Sequence, residues 1–277
     1  MTVIVWNVRG FNDPFKQRSM VDRIRKLKVK LVCLLETRVK ENNCQSIINN
    51  HFKEWSWLHN YSSAYNGRIW VIWSDNMKVD LVDFTARCIT CKVLIDAKQF
   101  YLSVVYGFNK GVERRALWNH LNFLNGALSQ CPWMIAGDFN IIAHPSESSK
   151  YNGFQGISND IKEFQEIVQK LAVVDHCFSR PMFTWSNNQE EGFLARKLDR
   201  VLINDIWLHS FAHSTVEFIP PGDSDHCAAL AQLDQEVFSP PKPFKLFNFW
   251  TKHPKFLDIV AKSWEVPVRG SPMMILQ

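Results

Sequence analysis

Side chains able to hold a cation or move a proton recur in this chain where short apolar runs stop. Val3 to Trp6 ends in Asn7, Leu31 to Leu35 in Glu36, Phe100 to Val105 in Tyr106-Gly107-Phe108-Asn109, and Trp133 to Ala136 in Gly137-Asp138-Phe139-Asn140. Further on, Asp199 opens the run Leu198-Asp199-Arg200-Val201-Leu202, and Asp225-His226 precedes Ala228 to Leu233. Sheets of α/β proteins put their sites at strand ends, so the recurrence points to one centre of carboxylates, amides and an imidazole. Turn geometry alone gathers Asn, Asp and Gly at such junctions, and each of these residues taken singly reads as a turn residue.

The elements that must position them follow from period. The apolar runs named above, with Ile69 to Trp73 and Val201 to Ile203, have strand length and composition. Between them, Leu117, Leu121, Leu124 and Leu128 share one helix face, as do Ile161, Phe164, Val168 and Leu171, while Met20, Ile24 and Leu27 form a third stripe among Arg23, Arg25, Lys26 and Lys28. Strands covered by helices are expected. With 277 residues, 46% apolar and 21% charged, the composition is that of a globular protein with a real core, not of a disordered or collagenous chain.

Seven dispersed cysteines, an odd number, read as reduced thiols, and Cys88-Ile89-Thr90-Cys91 lacks the second pair that a zinc site needs. No run reaches the roughly 18 apolar residues of a membrane span, and Met1 leads into Thr2-Val3-Ile4 without a secretory layout, so an intracellular protein with no membrane partner is expected. The net charge of +5 permits a polyanionic partner without demanding one. Near Phe238 the composition changes: Ser239-Pro240-Pro241-Lys242-Pro243 breaks any regular element, and Phe244, Phe247, Phe249, Trp250, Phe256, Ile259 and Trp264 form a segment too short to bury itself. One large domain over residues 1–236 and a Pro/aromatic connector over 237–277 are expected.

The order Trp6-Asn7, Glu36-Thr37, Tyr106, Gly137-Asp138-Phe139-Asn140, Thr184-Trp185, Leu198-Asp199-Arg200 and Ser224-Asp225-His226 resembles the endonuclease/exonuclease/phosphatase family over about residues 3 to 234. Within it, Trp6-Asn7-Val8-Arg9-Gly10, Gly67-Arg68-Ile69-Trp70-Val71-Ile72-Trp73 and the aromatic tail are similar to the endonuclease domain of plant non-LTR (LINE) retrotransposons. The resemblance implies an α/β fold, a two-sheet β-sandwich flanked by helices in four αββα layers, DNase I-like. It also implies hydrolysis of a phosphodiester with Mg²⁺, Mn²⁺ serving as a substitute, and nicking of DNA to leave a 3′ hydroxyl that primes reverse transcription. A reverse transcriptase region beyond this chain is the implied partner besides DNA, and the nucleus or cytoplasm the implied place.

Phosphodiester hydrolysis needs a hard cation to neutralise charge and a carboxylate to orient water. Glu36 is the leading Mg²⁺ ligand, with Asn7 and Asp225 beside it. By resemblance Asp138 positions or deprotonates the water, Asn140 holds Asp138 and phosphate in register, and His226 reaches a non-bridging phosphate oxygen while Asp199 orients the imidazole. Tyr106 and Asn109 would donate to phosphate oxygens as charge builds there. Trp185 would pack on the sugar of the scissile nucleotide, and Arg9 and Arg68 would contact phosphate. Arg9 departs from the DNA-repair members, which often carry an acid there, and so argues against a two-carboxylate metal site at that end. Two alternatives stand beside the nuclease: a phosphomonoesterase of the same family acting on inositol phosphates, lipid head groups or nucleotides, and an inactive element remnant that only binds.

Overall fold

The computed structural model describes residues 1–65, 68–96, 98–154, 156–233 and 254–264. Gly67, the Pro-rich stretch Ser239 to Pro243 and the aromatics Phe244 to Trp250 lie outside them. Two units divide the chain, Met1–Gln235 and Glu236–Gln277.

The first unit runs β1 (Thr2–Asn7), α1 (Pro14–Lys26), β2 (Leu31–Leu35), α2 (Glu41–His51), β3 (Ser56–His59), β4 (Ile69–Trp73), β5 (Lys78–Phe84), β6 (Cys88–Ile95), β7 (Lys98–Tyr106), α3 (Gly111–Leu128), β8 (Trp133–Asp138) and, after a 3-10 turn (Pro145–Glu147), α4 (Asn159–Lys170). It continues through β9 (Val173–Asp175), β10 (Phe178–Ser179), β11 (Trp185–Ser186), β12 (Ala195–Arg196), β13 (Asp199–Asn204), α5 (Asp205–Ser210), β14 (Thr215–Ile219) and β15 (Ala228–Gln232). In the second unit, α6 (Phe256–Trp264) leaves Leu257, Ile259 and Trp264 exposed.

Two mixed sheets form, in the orders β10-β14-β15-β1-β2-β4-β3 and β5-β6-β7-β8-β13-β9, with β11 and β12 as a separate hairpin. Alternation along each strand sends side chains to two different cores. Val3 and Val5 of β1 face Val104, Met134 and Val201 of the other sheet in a central core. Their neighbours Ile4 and Trp6 pack against Met20, Val21 and Ile24 of α1 and Ile47 and Ile48 of α2. On the far side, Val105, Ile135 and Leu202 meet Leu117, Trp118 and Leu121 of α3 and Phe164 and Ile167 of α4. The result is the four-layer αββα sandwich. Burial of both sheet faces explains why the strands read as continuous apolar runs rather than alternating ones.

The two sheets end together. β1 and β2 are parallel, with Asn7 opposite Leu35, and β7 and β8 are parallel, with Tyr106 opposite Asp138. Antiparallel β13 sets Asp199 opposite Asp138. Gly137 allows this closeness: its φ of +146° belongs to glycine, and a Cβ there would sit 2.0 Å from the Val105 carbonyl oxygen.

Candidate active site

At that common edge lies a cavity of about 300 Å³ lined by Arg9, Glu36, Arg38, Tyr106, Asn109, Asp138, Asn140, Trp185, Arg196, Leu198 and His226. Chain reversal at the strand ends turns the side chains into it. Arg9, Glu36, Arg38 and Asn140 all take left-handed backbone conformations, with φ of 42°, 53°, 53° and 52°. Non-glycine residues adopt these at a cost of about 1–3 kcal/mol each when the surroundings demand it.

The innermost group is a carboxylate, an imidazole and a second carboxylate. His226 Nδ1 lies 2.9 Å from Asp199 Oδ2, and its Nε2 lies 3.8 Å from Asp138 Oδ2. All three residues are buried. Burial pulls the imidazole down, but the negative charges of Asp199 and then Asp138, with the Asp199 hydrogen bond, outweigh it and lift His226 to about 9. Burial lifts the Asp138 carboxyl to about 7, reinforced by Asp199 and opposed by His226. The pair therefore offers a proton acceptor poised near neutrality beside a held proton donor.

Amides fix the acceptor. Asn140 donates its backbone N–H to Asp138 Oδ1 at 2.8 Å and its side-chain Nδ2 to Asp138 Oδ2 at 3.2 Å and to the Gly107 carbonyl at 2.9 Å. Asn7 donates through Nδ2 to Asp138 Oδ2 at 2.9 Å and to Glu36 Oε2 at 3.2 Å, while its Oδ1 accepts from the Arg9 N–H at 3.0 Å. So oriented, Asn7 ties the two acids together through its amide nitrogen, and its Oδ1 accepts the Arg9 backbone N–H.

Glu36 stands at the cavity wall with the Arg38 guanidinium on its other oxygen. Asp225 is placed differently from Glu36. It is buried, pairs with Arg9, and accepts the Trp185 indole N–H at 2.8 Å. This carboxylate anchors Arg9 and Trp185 at the cavity and does not itself line it. Tyr106 lines the cavity, and burial, with Glu36 and Asp138 adding to it, raises its phenol to about 12, so that the hydroxyl stays a donor at neutral pH. Asn109 lines the same wall, whereas Arg68 lies over the Tyr106 ring, 5.9 Å from its centroid, and does not line it.

Asp138, Asp199 and His226 each present an atom within 4.8 Å of the others, as ligands of one metal ion would. The negative charges of the two aspartates hold the imidazole proton to higher pH than usual, which also suits the trio to moving protons. Oxygen donors suit a hard divalent cation, and the accessible carboxylate is Glu36, with Asp138 next to it through Asn7.

Several supporting residues had no role in the sequence reading. The buried Arg114 of α3 donates to the carbonyls of Phe108 at 2.9 Å, Asn109 at 2.8 Å and Asn140 at 3.0 Å and pairs with Asp160 at 2.7 Å, which locks the loop after β7 to the loop after β8. Thr184 Oγ1 accepts the N–H groups of Leu198 and Asp199 at 3.0 and 2.9 Å, and Ser224 Oγ donates to the Asn7 carbonyl at 2.7 Å. Trp6 Nε1 donates to the His226 carbonyl at 3.0 Å. An arginine inside a helix gives no sign in sequence of the carbonyls it will meet; Thr184 and Ser224 had appeared only as members of a motif.

Known structures share the fold. The endonuclease domain of TRAS1, a telomere-specific non-LTR retrotransposon, superposes with a TM-score of 0.65 at 10% identity, over 85% of this chain and 99% of that one. The AP endonuclease LMAP from Leishmania major superposes with a TM-score of 0.64 at 15% identity, over 84% of this chain and 87% of that one. At these identities the likeness is one of fold, the DNase I-like sandwich. No curated protein sequence matches the chain. The model of the Endonuclease/Exonuclease/phosphatase family matches residues 4–226, from the first strand to the imidazole at the cavity, and the chain belongs to that family of hydrolases acting on ester bonds.

Proposed function

We propose that the protein is a LINE-type endonuclease that nicks DNA with Mg²⁺, or Mn²⁺ in its place, leaving a 3′ hydroxyl from which reverse transcription can start in the nucleus or cytoplasm. One observation carries the reading: Asp138 and His226 meet 3.8 Å apart at a cavity that also presents Glu36 and is lined by Arg9, Arg38 and Arg196. A divalent ion held by Glu36 would supply positive charge to a phosphate oxygen and to the leaving oxygen. Buried oxygen donors and the absence of a thiolate among the lining residues suit such an ion.

This chain's own groups would do the rest. Asp138, held by Asn7 and Asn140, accepts a proton from the attacking water. His226, kept protonated and oriented by Asp199, donates to a non-bridging phosphate oxygen as negative charge accumulates. The Tyr106 hydroxyl and the Asn109 amide donate to the same phosphate. Arg9 and Arg196 hold the backbone of the strand, Trp185 offers its ring to the adjoining sugar, and Arg68 approaches phosphate from beside Tyr106.

The test is conversion of supercoiled plasmid to nicked circles by the full chain, with Mg²⁺ and with EDTA, beside Asp138→Ala. Nicking that needs the ion and disappears in the variant supports the proposal. Plasmid left supercoiled by the wild type over hours removes its basis, and release of inorganic phosphate from inositol phosphates or nucleotides under the same conditions would move the assignment to a phosphomonoesterase.

A further inference from the structure

The acids at the cavity are already provided with counter-ions from this chain. Asp138 and Asp199 share the His226 cation, Asp225 holds the Arg9 guanidinium, and Glu36 holds that of Arg38. The cavity's carboxylates thus have basic partners within this chain, and a divalent ion at Glu36, the carboxylate best placed to receive it, would compete with the Arg38 guanidinium.

The two arginine pairs are not equivalent. Asp225 is itself held by the Trp185 indole and lies behind the wall, so the Arg9 pair is buttressed. Glu36 and Arg38 both line the cavity, are two residues apart, and both sit in left-handed backbone conformations that aim them at the same space. The Arg38 side chain is 50% exposed, so it has solvent to move into, whereas the Glu36 side chain is only 8% exposed and fixed by Asn7. The member of the pair with room to move is the arginine.

We propose that Arg38 is a resident counter-ion of Glu36 that exchanges with the divalent cation: it neutralises the buried carboxylate when no ion is bound, and when the ion takes Glu36 the freed guanidinium turns to a phosphate of the DNA. Cation binding and DNA binding are thereby coupled, each strengthening the other by the same factor. The inference rests on the metal-dependent reading above, and its test separates the two.

Binding of Mn²⁺ alone to the full-length protein, followed by the electron paramagnetic resonance signal of the free ion, is compared among wild type, Arg38→Gln, Glu36→Gln and Arg196→Gln. Removal of the competitor should tighten Mn²⁺ about tenfold in Arg38→Gln. Arg196→Gln takes the same charge from the same cavity without touching Glu36, and should shift affinity less than about twofold. Loss of binding in Glu36→Gln locates the ion. In the second arm, fluorescence anisotropy with a DNA duplex and Ca²⁺ as a non-turnover ion should show the ion strengthening DNA binding by the wild type and not by Arg38→Gln. Mn²⁺ affinity unchanged or weakened in Arg38→Gln, or tightened equally in Arg196→Gln, overturns the exchange while leaving a metal enzyme. Absence of Mn²⁺ binding in wild type and Arg38→Gln alike overturns the metal-dependent reading and the exchange with it.

Discussion

At the scale of single residues, the site divides its labour by environment. Asp138 and His226 are close together, yet burial drives the carboxyl up to about 7, while Asp199 outweighs burial and drives the imidazole up to about 9. An ionised Asp138 beside a protonated His226 exists between the two titrations. The pH profile of kcat/KM for nicking is expected to rise through about 7 and fall through about 9. In His226→Gln the alkaline limb should vanish and the rate drop at least about a hundredfold. The same shifts bear on stability. Native Asp138 and His226 both keep protons to higher pH than the unfolded chain does, so the stability they contribute is full at acid pH and is lost as pH rises through about 7 and then about 9. Melting temperature measured in EDTA should therefore decline between about pH 4 and about pH 7 as Asp138 loses its proton and on to about pH 9 as His226 does, and the upper part of the decline should flatten in His226→Gln. Asn7 has a use that its residue type does not announce: its N–H groups bridge Glu36 and Asp138.

At the scale of elements, the site depends on two loops being held at one height. Parallel pairing of β7 with β8 brings Tyr106 level with Asp138, and Gly137 leaves room for the Val105 carbonyl where a Cβ would clash. Gly137→Ala should cost about 2 kcal/mol or more, since both the conformation and the Val105 carbonyl reject a Cβ. Denaturant unfolding would register that loss, and nicking would fall with it because Asp138 is the next residue. Arg114 is the brace from the helical side. Arg114→Met keeps the apolar stem but leaves the carbonyls of Phe108, Asn109 and Asn140 without their donor, and is expected to lower kcat about tenfold or more with a smaller change in KM. A parallel fall in Tm would accompany it; Arg114→Lys, which restores the charge but not the three-way fork, should recover only part of either quantity.

At the scale of the molecule, the net charge is +5, and DNA binding of the proposed kind would draw on contacts to backbone phosphates. The slope of log K against log salt for duplex DNA should correspond to a few neutralised phosphates and become shallower by about one unit in Arg9→Gln. The compact unit Met1–Gln235 contains the cavity and both sheets with their covering helices. A chain ending at Gln235 is expected to unfold cooperatively and to keep its nicking activity, as thermal denaturation and the plasmid assay on that chain would show. No helix among the described residues is long and apolar enough to cross a membrane.

The alternation of apolar runs with helix-period stripes, as in Leu31 to Leu35 and Leu117 to Leu128, determined from sequence alone that strands would lie under helices, because side-chain period is a local property. The order of Glu36, Asp138 and His226 was legible for the same reason, being linear information. Short elements such as β9 to β12 and α5 were not, since two- to six-residue segments carry too little pattern and exist through their neighbours. Only the tertiary structure decided that Asn7 bridges Glu36 and Asp138, that Asp225 anchors an arginine, that Arg114 spans two loops, and that Arg38 rests on Glu36. Those outcomes depend on direction and distance between residues far apart in the chain, and these are set when two sheets close on one another.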